Sequence, residues 1–143
     1  MKITLGITAP VVLAGLAAAG FASPASADDT GGAPETYKFL LTGATEPTTW
    51  VVTNCGTMCL HVEDGGNSTS TPWSSEAYAL NGDWTMFVNR TDLISCPDGS
   101  KFPAGAQYNW NPAGQGLVSA TNDGQCGDPP GPISANFTLT KVG

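Results

Sequence analysis

Trp50-Val-Val-Thr-Asn-Cys-Gly-Thr-Met-Cys-Leu-His-Val-Glu63 decides the fold. Two strand-like runs, Thr49–Asn54 and Leu60–Glu63, flank a three-residue Gly-Thr-Met loop bracketed by Cys55 and Cys59. If Cys55 faces Cys59, then Thr53 faces His61 and Val51 faces Glu63. The opposite face then collects Trp50, Val52, Leu60 and Val62. Side chains alternate across a strand, so this register separates an apolar core face from a polar face that bears the disulfide. The stretch therefore predicts a β-hairpin.

The same reading extends outward. Asn81-Gly82 is the dipeptide that best tolerates the two positive φ angles of a type I′ turn, and it predicts a second hairpin with arms Glu76–Leu80 and Asp83–Asn89. One face of that hairpin carries Ala77, Ala79, Trp84, Met86 and Val88. The other carries Tyr78, Leu80, Asp83, Thr85 and Phe87. Both faces are partly apolar, so this hairpin is either covered on both sides or exposes a patch suited to binding. Tyr37–Thr42 reads as an earlier strand. Leu93–Cys96, Ala106–Trp110, Gly116–Thr121 and Ala135–Val142 read as later ones, with loops at Pro97–Gly105 and Asn122–Pro132. No helical period survives the placement of 18 glycines and 11 prolines. The fold class is all-β: a single small antiparallel β-sandwich or meander barrel of about eight strands, with two disulfides.

Residues 1–27 read as a signal peptide. Lys2 precedes an apolar stretch reaching about Phe21, and Ala25-Ser26-Ala27 is a cleavage signal. Residues 28–36 form a polar, breaker-rich lead expected to be disordered, and 37–143 form one secreted domain. Export implies an oxidising compartment, where four cysteines normally make two disulfides. Spacing favours Cys55 with Cys59 and leaves Cys96 to pair with Cys126. A zinc site on these cysteines and His61 is the competing reading, but Cys96 and Cys126 are isolated in sequence and zinc ligands come in close pairs.

Charge excludes several classes of partner. Beyond the signal peptide only Lys38, Arg90, Lys101 and Lys141 oppose twelve acidic residues. Four scattered cations build no basic patch, so nucleic acid and anionic lipid are not expected partners. With the signal peptide removed, no segment is expected to span a membrane.

Catalytic signals are weak. His61 is the sole histidine, and no nucleophile-elbow motif accompanies it. Glu63 and Asp64 are adjacent, so on a strand they point to opposite faces and make no acid–base pair. Asp64-Gly-Gly-Asn67 and Asn122-Asp123-Gly-Gln-Cys-Gly-Asp128 hold calcium-type oxygen ligands, but these residues are also turn formers and lack the periodicity of an EF-hand loop. No catalytic residue, metal ligand or cofactor is assigned. The aromatic residues are more informative. Tyr108 and Trp110 share a strand face, Tyr78 lies on the doubtful face of the second hairpin, and Trp73 sits in a polar Thr-Pro-Trp-Ser-Ser segment that should expose it. Trp73, Tyr108, Trp110 and Tyr78 are the candidate ligand-binding residues, because rings with polar edges suit sugars and flat apolar ligands.

The hairpin at Trp50–Val62, the Asn81-Gly-Asp-Trp-Thr-Met segment, Tyr108-Asn-Trp-Asn-Pro and the terminal Phe137-Thr-Leu-Thr-Lys-Val-Gly resemble small exported proteins of uncharacterised function from mycobacteria and related actinobacteria. That resemblance implies export and an actinobacterial source, and it defines no functional residue to carry over. The leading expectation is a secreted, disulfide-stabilised binding module, free in the medium or held at the cell envelope. Its partner would be an envelope glycan, lipid, small molecule or protein. A carboxylate-dependent hydrolase and a structural envelope protein without a discrete site are the alternatives.

Overall fold

A computed structural model describes residues 33–142 of the chain. Residues 1–27, expected to be a signal peptide, and most of the polar lead lie outside the described residues. Eight antiparallel strands follow one another as a meander: β1 (Glu35–Leu41), β2 (Thr48–Gly56), β3 (Cys59–Asp64), β4 (Trp73–Leu80), β5 (Asp83–Ser95), β6 (Lys101–Trp110), β7 (Gln115–Asn122) and β8 (Gly131–Val142). Each strand pairs with the next, and β1 also pairs with β8 through contacts such as Phe39 with Leu139, which closes the sheet into a barrel. Closure leaves no sheet edge exposed. Of the two all-β architectures open to the sequence, the barrel is the one formed.

Both hairpin registers follow from alternation. In β2–β3, Val51 faces Glu63, Val52 faces Val62 and Thr53 faces His61. In β4–β5, Ala77 faces Met86 and Tyr78 faces Thr85. The disulfide corner departs from the simple pattern. Asn54 faces Leu60, but it is Gly56 that faces Cys59, so Cys55 is the extra residue of a bulge. Gly56 at φ 137° and Met58 at φ 57° turn the chain there. As a result Cys59 rotates into the wall and is buried, while Cys55 remains exposed. The two disulfides are Cys55–Cys59 and Cys96–Cys126.

Several boundaries differ from the sequence expectation: β4 starts at Trp73 rather than Glu76, and the separate runs expected at Asp83–Asn89 and Leu93–Cys96 are one strand, β5. β1 starts at Glu35, where pairing with Val52 orders the end of the polar lead. β8 begins at Gly131, where Gly131 and Pro132 already pair with Asn122 and Thr121. The segment expected to be a loop through Gly105 becomes strand from Lys101 onward, because a tight turn reverses the chain early. Asp98 accepts the Ser100 backbone N–H at 2.9 Å, and Lys101 then pairs with Ser95. Pro103 is the reason the segment does not look like a strand. It has no N–H for the ladder. The register of β5 shifts opposite it, between Arg90, which faces Ala104, and Ile94, which faces Phe102. Thr91, Asp92 and Leu93 form that irregularity.

The centre of the interior is filled. An eight-stranded barrel is just wide enough for side chains to meet across it, and here the side chains are large rings. Trp50 is fully buried at the centre. It stacks on Phe39 (4.9 Å between centroids, 10° between planes) and meets Trp73, Tyr108 and Trp110 edge-on at 5.7, 5.9 and 5.4 Å. Phe137 completes the packing against Phe39 and Tyr108. Gly116 makes room for it, since a Cβ there would come within 2.3 Å of the Phe137 ring.

Candidate binding surface

The four aromatic residues singled out by sequence are not brought together. Tyr108 and Trp110 are each 1% exposed, inside the barrel, so neither can stack on a ligand without opening the core. Their shared strand face is real, but it is the inner face. Trp73 is half-buried rather than exposed. The polar segment around it suggested solvent, yet its ring closes one end of the barrel against Trp50 and Tyr108, with the Arg90 guanidinium 6.0 Å from its centroid. Only Tyr78 remains accessible.

The end of the barrel near Trp73 is held by a partly buried polar network. Arg90 donates to the Tyr108 hydroxyl at 3.1 Å and to Asp92 at 2.9 Å. Asp92 also accepts the Thr71 backbone N–H at 2.7 Å. Burial opposes ionisation of Asp92, but the Thr71 amide and the Arg90 guanidinium outweigh it and hold its carboxyl below the usual range. Burial pushes the Tyr108 hydroxyl up despite the neighbouring Arg90. Every oxygen in this network already has a structural partner.

The same holds for the turn that looked suited to calcium. Asp64 accepts the Gly66 N–H on one oxygen, and the Trp50 indole N–H and Thr48 hydroxyl on the other. Asn67 accepts from Thr69 and Ser70. In the second such segment, Asn122 accepts the Gly124 N–H. These residues act as turn formers.

The outer wall is different. Alternation places Tyr78, Leu80 and Phe87 outward from the β4–β5 hairpin, and they are 55%, 61% and 67% exposed. Among the described residues, Tyr78 and Phe87 are the aromatic rings exposed by more than half, and they share one face of one hairpin. With His61, Glu76 and Thr85 they line an open groove of about 680 Å³. Across Phe87 lies a second groove of about 640 Å³, whose lining includes Asn89, Gly105, Gln107, Ser119 and Thr121. Phe87 is thus a ridge between two troughs.

No family model, curated protein or solved structure matches this chain.

Polar groups are ordered beside the rings. The Tyr78 hydroxyl donates to Glu76 at 2.9 Å, and that bond pushes its pKa up. Gln107 donates to Asn109 at 2.9 Å, and Asn109 donates to Thr85 at 2.7 Å. His61 lies 3.4 Å from Glu63, and the nearby Ser75 hydroxyl donates to the Phe87 carbonyl rather than to the imidazole. The only carboxylate lining the first groove is Glu76, and no lysine or arginine lines either trough. The surface offers rings, amides and hydroxyls, which is binding chemistry. Leu80 and Phe87 were legible as its members from the alternation of the second hairpin; closure of the barrel decides that this face stays open.

Proposed function

We propose that the protein is an exported, non-catalytic binding module that takes a neutral envelope glycan on the outer face of the β4–β5 hairpin. The observation that carries this reading is the placement of Tyr78 and Phe87. The other large rings are packed into the barrel or its wall, whereas these two project over an open groove edged by hydrogen-bonding side chains. A sugar ring presents C–H faces for stacking and hydroxyls for amides and carboxylates, so the chemistry matches. The absence of lysine and arginine from the lining residues favours an uncharged ligand over a phosphate or an anionic headgroup. Two disulfides fit an oxidising compartment, and the signal-like segment 1–27 and the actinobacterial resemblance point to the cell envelope or the medium.

Calorimetric titration of the oxidised 28–143 chain with neutral envelope glycans tests the proposal. Saturable binding should weaken about tenfold or more in Tyr78→Ala and in Phe87→Ala, a loss of about 1.4 kcal/mol each. Folding stability should stay within about 0.5 kcal/mol, because both side chains are on the surface. Glycan binding that survives both substitutions would move the site elsewhere, and no binding at all would favour a structural role.

A further inference from the structure

The barrel is not packed equally at its two ends. Trp84, Trp110 and Phe137 fill the end that holds the Asn81-Gly82 turn, and Trp73, Tyr108 and Arg90 plug part of the other. The remainder of that second end is lined by β1, β7 and β8, and there the inward positions are small. Val118 faces Ala135 and Ala120 faces Ile133, in phase with Gly116 and the buried Phe137 that it faces. Leu41, in phase with Phe39, flanks them. Ile133 is 41% exposed although it points to the inside of the barrel, because no large side chain stands opposite it. Leu93, from the irregular stretch of β5 facing Pro103, borders the same space. Together these residues line an open apolar mouth of about 160 Å³.

We infer that this mouth is a second binding site, separate from the outer groove, for one small uncharged apolar group: an aromatic ring or the end of an alkyl chain. The volume selects the size. A sealed apolar cavity of about 150 Å³ accepts benzene, so an open mouth of this size has room for a group of that bulk, and a barrel mouth is a common location for such sites. The lining selects the chemistry. It consists of aliphatic side chains and alanines with the Ser119 and Ser134 residues, and it contains no ionisable residue to satisfy a charge. Ala120 and Ala135 are the specificity-determining positions, since a larger side chain at either would occupy the space itself.

Benzene and 1-hexanol, titrated separately into the oxidised 28–143 chain, distinguish ring from chain as the preferred occupant. Methyl NMR is the readout. Saturable shifts are expected at Leu41, Leu93, Val118 and Ile133 for at least one probe, with Val52 and Val62, packed elsewhere in the core, unmoved. Ala135→Leu should weaken that binding at least tenfold, and Ala120→Leu should do the same if the first variant folds poorly. The inference is overturned if the four mouth residues stay unmoved, or shift without saturation, up to the solubility of both probes. Unchanged affinity in a folded Ala135→Leu or Ala120→Leu variant would overturn it equally. Ser119 and Ala120 also line the second outer trough, but Tyr78 and Phe87 play no part in the mouth, so either result leaves the glycan proposal standing or falling on its own test.

Discussion

The Asp64 carboxylate accepts the indole N–H of Trp50 at 2.8 Å, directly across the β2–β3 ladder, and both residues are buried. The same oxygen accepts the Thr48 hydroxyl at 2.8 Å. Trp50 is the ring on which five other aromatic side chains pack with centroids no more than 6.0 Å away, so this bond fixes the orientation of the central member of the core. A buried carboxylate is tolerated only when its lone pairs are satisfied. Here three donors satisfy them, and in return the turn after β3 is tied to the interior.

Asp64→Ala should therefore be among the most damaging single substitutions. It leaves the Trp50 indole and the Thr48 hydroxyl buried without their acceptor, at about 1–3 kcal/mol each, or roughly 2–6 kcal/mol together. Asp64→Asn keeps one acceptor oxygen and should cost about half as much. Urea unfolding followed by tryptophan fluorescence measures both, and equal, small losses would show that the carboxylate is dispensable.

The two disulfides should differ in weight. Removing Cys96–Cys126, with a sequence separation of 30, releases a much longer loop in the unfolded chain than removing Cys55–Cys59, with a separation of 4. Loop entropy gives ~3.7 kcal/mol for the first and ~2 kcal/mol for the second. Paired Cys→Ser variants compared by chemical denaturation should show that order. A reversed order would mean that the bulged corner at Cys55 stabilises the folded state directly.

Gly82 should resist replacement for a conformational reason alone. Its φ is 87°, and a Cβ there would meet nothing within 4 Å. Gly82→Ala should cost about 1–2 kcal/mol, the penalty of the left-handed region for an L residue. Gly131 is equally unobstructed and lacks a positive φ. Gly131→Ala should thus be neutral or stabilise by up to about 1 kcal/mol through the unfolded chain.

Alkaline pH should separate the three tyrosines. Burial pushes the hydroxyls of Tyr37 and Tyr108 above the ordinary value of 10.0, and hydrogen bonding to Glu76 raises Tyr78 while leaving it in solvent. For a group whose folded pKa is raised, the stability contribution is complete below the unfolded pKa and is lost as pH rises through the folded one. Stability should accordingly hold up to about pH 10 and fall above it. Phenolate absorbance should report Tyr78 in the folded protein, and Tyr37 and Tyr108 together with unfolding. Ionisation of all three before unfolding would contradict their placement.

Much of the wall was legible in the sequence, because strand alternation and two turns with strict backbone demands set the registers of β2–β3 and β4–β5. Cysteine spacing likewise indicated the pairing. The candidate site was less legible. Trp110 and Tyr78 both alternate cleanly on their strands, and alternation assigns residues to a face without saying which face is the inside. Closure of the barrel, which no local pattern announces, settled that question against Tyr108 and Trp110. Trp73 misled for a related reason: a polar segment can still carry one ring that folds back over the barrel end, held near Arg90. Pro103 hid the start of β6, since its compensation lies on the partner strand in the irregularity at Thr91–Leu93.

On the proposed reading, the centre of this barrel is occupied by its own rings and a glycan is recognised outside, at Tyr78 and Phe87. Amide NMR mapping of the oxidised 28–143 chain during titration with a neutral envelope glycan tests it most directly. The predicted result is a saturable set of shifts at Tyr78, Thr85, Phe87 and Gln107, with the amides flanking Trp50 and Trp110 unchanged. Saturable shifts centred on Trp50, Tyr108 and Trp110, with the hairpin face silent, would contradict it and place the ligand inside the barrel.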